Sequence, residues 1–174
     1  DNYLKCINEM PSTYSPEIIG LHSNAEIDYF TQASKRIWED MIKLQTSTGP
    51  SGSKKKTDEN GLKIIIIGCG KVGETLVSRL CEEGHDITVI DKNAEVVQNI
   101  SEVYDVLGVV GNGSSYKVLM DAGIEDTDLV IAVTASDELN ILCCTMAKKV
   151  GDCSTVARVR NPDYSEELHY LREK

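Results

Sequence analysis

A chain of 174 residues with 41% hydrophobic content suits one globular domain plus an appendage. Its 18 basic and 28 acidic residues give a formal net charge of −10, which argues against nucleic acid as a partner, because phosphate backbones call for a basic surface. No apolar run reaches the length of a bilayer span and the N-terminus lacks a signal-peptide pattern, so no direct membrane insertion is expected.

The chain opens on residues 1–20, which carry Pro11 and Pro16 and few periodic apolar positions; they read as a short helix followed by irregular structure. From Asn24 to Gln45 the pattern is more regular. Ile27, Phe30, Ile37, Met41 and Leu44 recur mostly at three- and four-residue steps, with Trp38 beside them, which predicts an amphipathic helix. Before it stands Pro16-Glu17-Ile18-Ile19-Gly20-Leu21-His22-Ser23-Asn24-Ala25-Glu26-Ile27. On these residues the segment 1–50 resembles the C-terminal part of the dynein heavy chain motor. That resemblance implies a structural helical segment over 1–45, with no nucleotide-binding motif and with His22 as a structural histidine.

Residues 46–62 form a linker by composition, small, polar and charged, with Gly and Pro; Lys54, Lys55 and Lys56 read as solvated linker lysines. Beyond it the character changes. Ile64 to Ile67 is an unbroken β-branched run, as expected of a strand buried on both faces of a parallel sheet. It leads directly into Gly68-Cys69-Gly70-Lys71-Val72-Gly73, a G-x-G-x-x-G sequence, and then into a helix with Val72, Leu76, Val77 and Leu80 at helical spacing, ended by Gly84. A second strand, Asp86 to Ile90, closes on the acid Asp91, about 20 residues after the glycines.

Strand, glycine turn, helix and acid together make the dinucleotide-binding fingerprint. Gly68 permits the tight turn, Gly70 lets a pyrophosphate approach the backbone, and Gly73 lets the helix pack closely on the strand. The free N–H groups at the helix start attract phosphate, and Asp91 can accept hydrogen bonds from the adenosine ribose while opposing a 2′-phosphate.

The alternation then continues. Asn93 caps a helix through about Val103, whose apolar face holds Val96, Val97, Ile100 and Val103. Val106 to Val110 is a third strand running into Gly111-Asn112-Gly113-Ser114-Ser115, where the chance sequon at Asn112 matters less than a glycine-rich turn beside the ligand crevice. Tyr116 to Ala122 is a short helix and Asp128 to Val133 a fourth strand. Ser136 or Asp137 caps a helix through Lys149, Thr155 to Val159 is a fifth strand, and Asn161-Pro162-Asp163 opens a last helix. The six cysteines form no C-x-x-C pair and read as reduced, mostly buried thiols, with no metal site. The fold class is therefore α/β, a doubly wound, Rossmann-like parallel sheet with a mostly helical N-terminal appendage. The turns after its first four strands are expected to converge on one crevice.

KIIIIGCGKVG, DITVID, VVGNGSS, DAGIEDTDLVIAVTASDELN and ARVRNPDY, in this order, resemble the RCK or KTN family of potassium-transport regulators, of the TrkA type, over residues 63–174. The resemblance implies the N-terminal nucleotide-binding subdomain of that family, incomplete at its C-terminus and without the family's second subdomain. It implies bound NAD(H), or ATP or ADP, held by Gly68, Cys69, Gly70, Lys71, Val72 and Gly73 around the phosphates and by Asp91 at the ribose. Asn112 and Gly113, which stand where many relatives carry Gly-Asp, Thr134 and Ala135 on the far side, and Arg158 complete the implied set. It further implies a regulatory, non-catalytic homo-oligomer in the cytoplasm, at the inner face of the plasma membrane, gating a potassium channel or transporter subunit of the TrkH or KtrB kind.

Two other readings compete. Tyr170-x-x-x-Lys174 has the spacing of short-chain dehydrogenases and would suit an NAD-dependent oxidoreductase, but the glycine spacing differs and no upstream serine sits at the expected distance. A structural fragment or fusion of a dynein heavy chain segment would rest on residues 1–50 alone.

Overall fold

The structure, a computed structural model, describes residues 61–161, the backbone of Tyr3–Cys6, and six helical residues: Asp28, Thr31, Gln32, Lys35, Arg36 and Glu39. The elements are β1 (Tyr3–Cys6), β2 (Lys63–Ile67), α1 (Lys71–Glu82), β3 (Asp86–Asp91), α2 (Ala94–Tyr104), β4 (Leu107–Val110), α3 (Tyr116–Asp121), a 3-10 turn (Ile124–Asp126), β5 (Leu129–Ala132), α4 (Asp137–Val150) and β6 (Ser154–Val159). The sheet order is β1-β6-β5-β2-β3-β4, and the five strands from β2 to β6 are parallel.

The isoleucine run explains the layering. Along a strand successive side chains point to opposite faces. Ile64 and Ile66 therefore join Leu76, Val77 and Leu80 of α1 and Val97 and Ile100 of α2 on one face. Ile65 and Ile67 meet Leu119 of α3 and Cys143, Cys144 and Ala147 of α4 on the other. All four isoleucines are at most 2% exposed, so β2 is the spine that both helical layers cover. From β2 the chain winds outward through β3 to β4, then crosses to β5 and β6 on the other side. The order thus reverses at β2, between β3 and β5.

Two expectations need correction, and one element goes beyond them. The opening residues do not begin as a helix: Tyr3–Cys6 run antiparallel to β6, with Tyr3 opposite Val159 and Cys6 opposite Val156. Without β1, the outer row of β6 backbone groups would lack ladder partners, and this pairing satisfies them. Val103 belongs to the outer face of α2 and is 71% exposed; in the last turn it is Tyr104, one residue on, that packs against the core. The 3-10 turn at Ile124–Asp126 goes unread in the sequence, although its Ile124 is fully buried.

The described residues of the predicted Asn24–Gln45 helix are helical, and its Asp28 and Lys35 pair with Arg79 (2.5 Å) and Glu83 (3.0 Å) at the end of α1. His22, the linker lysines, the expected last helix, and Tyr170 and Lys174 lie outside the described residues.

Candidate functional site

At the carboxyl ends of the parallel strands, four turns are tied to one another by backbone bonds that extend the sheet. The Gly68 N–H donates to the Ile90 carbonyl (2.9 Å), Gly111 N–H to the Asp91 carbonyl (2.8 Å), and Val133 N–H to the Ile67 carbonyl (2.8 Å). The turns enclose a cleft of about 540 Å³. Gly68, Gly70, Lys71 and Val72 form its floor, Asp91 and Lys92 one end, Gly111 to Gly113 a side, and Thr134 to Ser136 with Arg158 and Arg160 the far wall.

The three fingerprint glycines divide into two kinds. Gly68 has φ of +102°, and a Cβ there would lie 2.8 Å from the Thr134 nitrogen. A Cβ at Gly73 would overlap the Gly68 carbonyl oxygen. Both are demanded by the fold itself. Gly70 differs: its φ of −70° suits any residue, and a Cβ there would meet nothing within 4 Å. It is bare where it faces the open cleft, at the N-terminus of α1. No side chain caps that terminus, whereas Asn93 caps α2 (Glu95 N–H to Oδ1, 3.0 Å) and Ser136 caps α4 (Leu139 N–H to Oγ, 3.1 Å). The first N–H groups of α1 thus point their partial positive charge at the cleft.

Asp91 is the acid that ends β3. One carboxylate oxygen accepts the Cys69 N–H (2.8 Å) and the other the Asn93 N–H (2.9 Å), which fixes the carboxylate at the rim of the glycine turn. Each oxygen keeps lone-pair capacity for a further donor. Four cations, Lys71, Lys92, Arg158 and Arg160, line the cleft; Asp91 among the lining residues and Asp137, paired with Arg160 behind it, offset two of them, so a chain of net charge −10 carries a pocket with a net positive lining. Low-dielectric walls focus such a field and favour an anion.

Of the twelve residues expected at the site, Gly68, Gly70, Lys71, Val72, Asp91, Asn112, Gly113, Thr134, Ala135 and Arg158 line the cleft. Cys69 and Gly73 sit behind it. The Cys69 side chain is 4% exposed and packs in the core, and its backbone N–H is taken by Asp91. Burial, with the Asp91 carboxylate adding to it, pushes the Cys69 thiol up to about 12. Burial likewise raises Cys143 to about 12, with Lys92 acting weakly against it. Neither thiol is a nucleophile at neutral pH.

Thr134 lines the cleft, yet its polar atoms turn inward: its N–H (2.8 Å) and its hydroxyl (2.7 Å) both donate to the Asn140 side-chain oxygen. Gly111 and Ser136, in turns expected at the crevice, line it too, whereas Lys92, Leu139 and Arg160 are wall residues that reading the sequence missed. So is Asn140, buried behind the far wall beside Asp137, the residue that ends the expected crevice turn. The one sequence signal for Asn140 is a poor helix former with no cap to make, set among apolar residues inside a helix.

The TrkA-N domain family matches residues 64–172. The chain belongs to the TrkA-N domain family. Among curated relatives, the Trk system potassium uptake protein TrkA of Haemophilus influenzae is 46% identical over 114 residues, covering 65% of this chain and 24% of that protein. The TrkA of Vibrio alginolyticus is 41% identical over 111 residues, covering 63% of this chain and 24% of that one. This TrkA-N chain therefore spans about a quarter of the length of these two relatives. The NAD(P)-binding domain of an exopolyphosphatase-related protein from Archaeoglobus fulgidus shares the fold at a TM-score of 0.55 and 23% identity, over 63% of this chain and 81% of that one. So does the GsuK channel bound to NAD, at a TM-score of 0.51 and 19% identity, over 74% of this chain and 23% of that one. The resemblance of residues 1–50 to a dynein heavy chain finds no support in these comparisons. Among the described residues no helix is long and apolar enough to cross a membrane, and no group of three or more His, Cys, Asp or Glu is arranged to hold a metal ion.

Proposed function

We propose that residues 63–174 are the regulatory nucleotide-binding domain of a potassium uptake system, joined through the linker 46–62 to an N-terminal segment whose Tyr3–Cys6 strand lies beside β6. The ligand is NAD(H), with ATP or ADP able to use the same grip on adenosine and phosphate. Its phosphates would rest over Gly70 at the start of α1, its ribose hydroxyls would donate to Asp91, and its distal half would cross toward Arg158. The observation that carries this reading is Gly70: a glycine the fold does not need, left bare over an uncapped helix start in an electropositive cleft.

The role is regulatory rather than enzymatic, in keeping with relatives named as potassium uptake proteins. Nucleotide in the cleft would bias the arrangement of paired domains held against a membrane potassium transporter or channel at its cytoplasmic side. It can do so only by binding two arrangements with different affinity. Homo-oligomerisation and a TrkH- or KtrB-like partner belong to this proposal.

The test is calorimetric titration of wild type and Gly70→Val with NADH, NAD, ATP and ADP, alongside an assay for turnover. Gly70→Val should keep its fold, because the added side chain enters open space, and should weaken binding at least about tenfold by blocking the phosphates. Unchanged affinity in a folded Gly70→Val would overturn the reading. So would steady turnover of NADH, which would favour an oxidoreductase.

A further inference from the structure

Behind the far wall lies a polar cluster that touches no open space. Asn140, in the first turns of α4, is fully buried. Its oxygen accepts the Thr134 N–H and hydroxyl at 2.8 and 2.7 Å. Its nitrogen donates to the Thr134 carbonyl at 3.3 Å and the Arg158 carbonyl at 2.9 Å. Both amide hydrogens and both oxygen lone pairs are used, the condition under which burying an amide is tolerable. Asp137, one turn earlier and 7% exposed, does the same for the next stretch. One of its oxygens accepts the N–H groups of Arg160 and Asn161, both at 2.7 Å, and the other accepts Arg160 Nε at 3.0 Å. The Arg160 guanidinium also donates to the Ala135 carbonyl.

Two side chains of α4 therefore tie the loop after β5 to the chain leaving β6, just where the sheet ladder ends. Every group they hold belongs to the far half of the cleft; none belongs to the glycine turn or to Asp91. A hydrophobic residue at 140 would fill the same core without fixing Thr134 or Arg158. An interior amide with four bonds buys geometry rather than burial.

We propose that Asn140 and Asp137 are positioning residues that set the preference of this cleft for a dinucleotide over a mononucleotide; this rests on the nucleotide reading above. AMP would occupy the near half, with its ribose at Asp91 and its phosphate at α1. Only a second nucleoside crosses to the wall that Asn140 and Asp137 shape.

The experiment titrates the full chain with AMP and with NADH, by calorimetry and by nicotinamide fluorescence, in wild type, Asn140→Asp, Asn140→Ala and Asp137→Asn. Asn140→Asp keeps the shape but turns one carboxylate oxygen to two carbonyls. Asp137→Asn removes the charge that anchors Arg160. Each variant should weaken NADH about tenfold or more and change AMP by less than about twofold, with a matching change in bound nicotinamide emission. Equal weakening of both ligands, or no weakening of NADH, would mean that the cluster is structural only. Should the Asn140 variants fail to fold, the NADH-to-AMP ratio of Asp137→Asn decides alone. Wild type that binds NADH no more tightly than AMP would also overturn the proposal while leaving the near half intact. Wild type that binds neither would sink the nucleotide reading itself.

Discussion

The two halves of the cleft are made from different materials. The near half is backbone: a glycine turn with φ of +102° at Gly68, a helix start without a cap, and one carboxylate holding two main-chain N–H groups. The far half is side chain: Asn140 and Asp137 reach out of α4 to fix a loop and a strand end that lie past the last β5–β6 pair, Ala132 with Ala157. A backbone site is set as soon as β2, α1 and β3 pack. A side-chain site depends on single buried groups, each of which one substitution can remove. The near half should therefore fail through sterics, and the far half through lost hydrogen bonds.

The sharpest way to break that contrast is inside the fingerprint. Gly73→Ala drives a Cβ into the Gly68 carbonyl, a backbone atom that cannot step aside without moving β2 from α1. The expected loss is about 3 kcal/mol of stability, read as a lowered urea midpoint. Gly70→Ala, three residues away, should cost about 1 kcal/mol or less, since its added methyl meets nothing and only an N-cap preference is lost. Equal destabilisation by the two would show that Gly70 is structural after all. Asp91→Asn comes next. Its amide oxygen can still accept one of the Cys69 and Asn93 N–H groups, but its NH2 must then face the other donor. A loss of about 1–2 kcal/mol is expected, together with weaker nucleotide binding.

The same contrast explains what could be read from the sequence. The fold was legible because it is written in periodicity and punctuation. Ile64–Ile67 is too continuously apolar for a half-exposed strand, and Gly68 and Gly73 of the fingerprint stand where only glycine serves. The near half of the cleft came with them, since its geometry follows from the order strand, turn, helix and strand. Asn140 and Asp137 have no such local signature. Their partners are 6 and 18 residues away for Asn140, and 23 for the Arg160 nitrogens of Asp137, distances that only the closed sheet brings together. β1 was unreadable for a related reason: what makes Tyr3–Cys6 a strand is the open edge of β6, more than 150 residues further on. Val103 is misread because both it and Tyr104 lie near the apolar stripe, and only the folded packing shows that Tyr104 takes the core side of the last turn.

The smallest expected effect lies at the opposite end of the sheet, and serves as a control for both halves. His85 Nδ1 accepts the Leu62 N–H at 3.1 Å, where the chain enters β2, so the neutral ring carries its proton on Nε2. A second proton, on Nδ1, would face a donor. Burial lowers its pKa from the usual 6.5; Glu83, whose carboxylate lies 3.8 Å from Nε2, pulls the other way, and Lys35 adds to the lowering. The unfolded ring then takes up its proton more readily than the folded one. The stability owed to neutral His85 is complete above pH 6.5 and is lost as the pH falls from there through the lower folded value. Urea midpoints should thus drop as the pH falls below about 6.5, and drop less in His85→Asn, whose side-chain oxygen can accept the same N–H without titrating. Because the ring sits beneath the strands, away from either cleft wall, the NADH-to-AMP affinity ratio should be the same in His85→Asn as in wild type. A changed ratio would mean that the two ends of β2 are coupled, and that the far wall answers to more than its own two anchors.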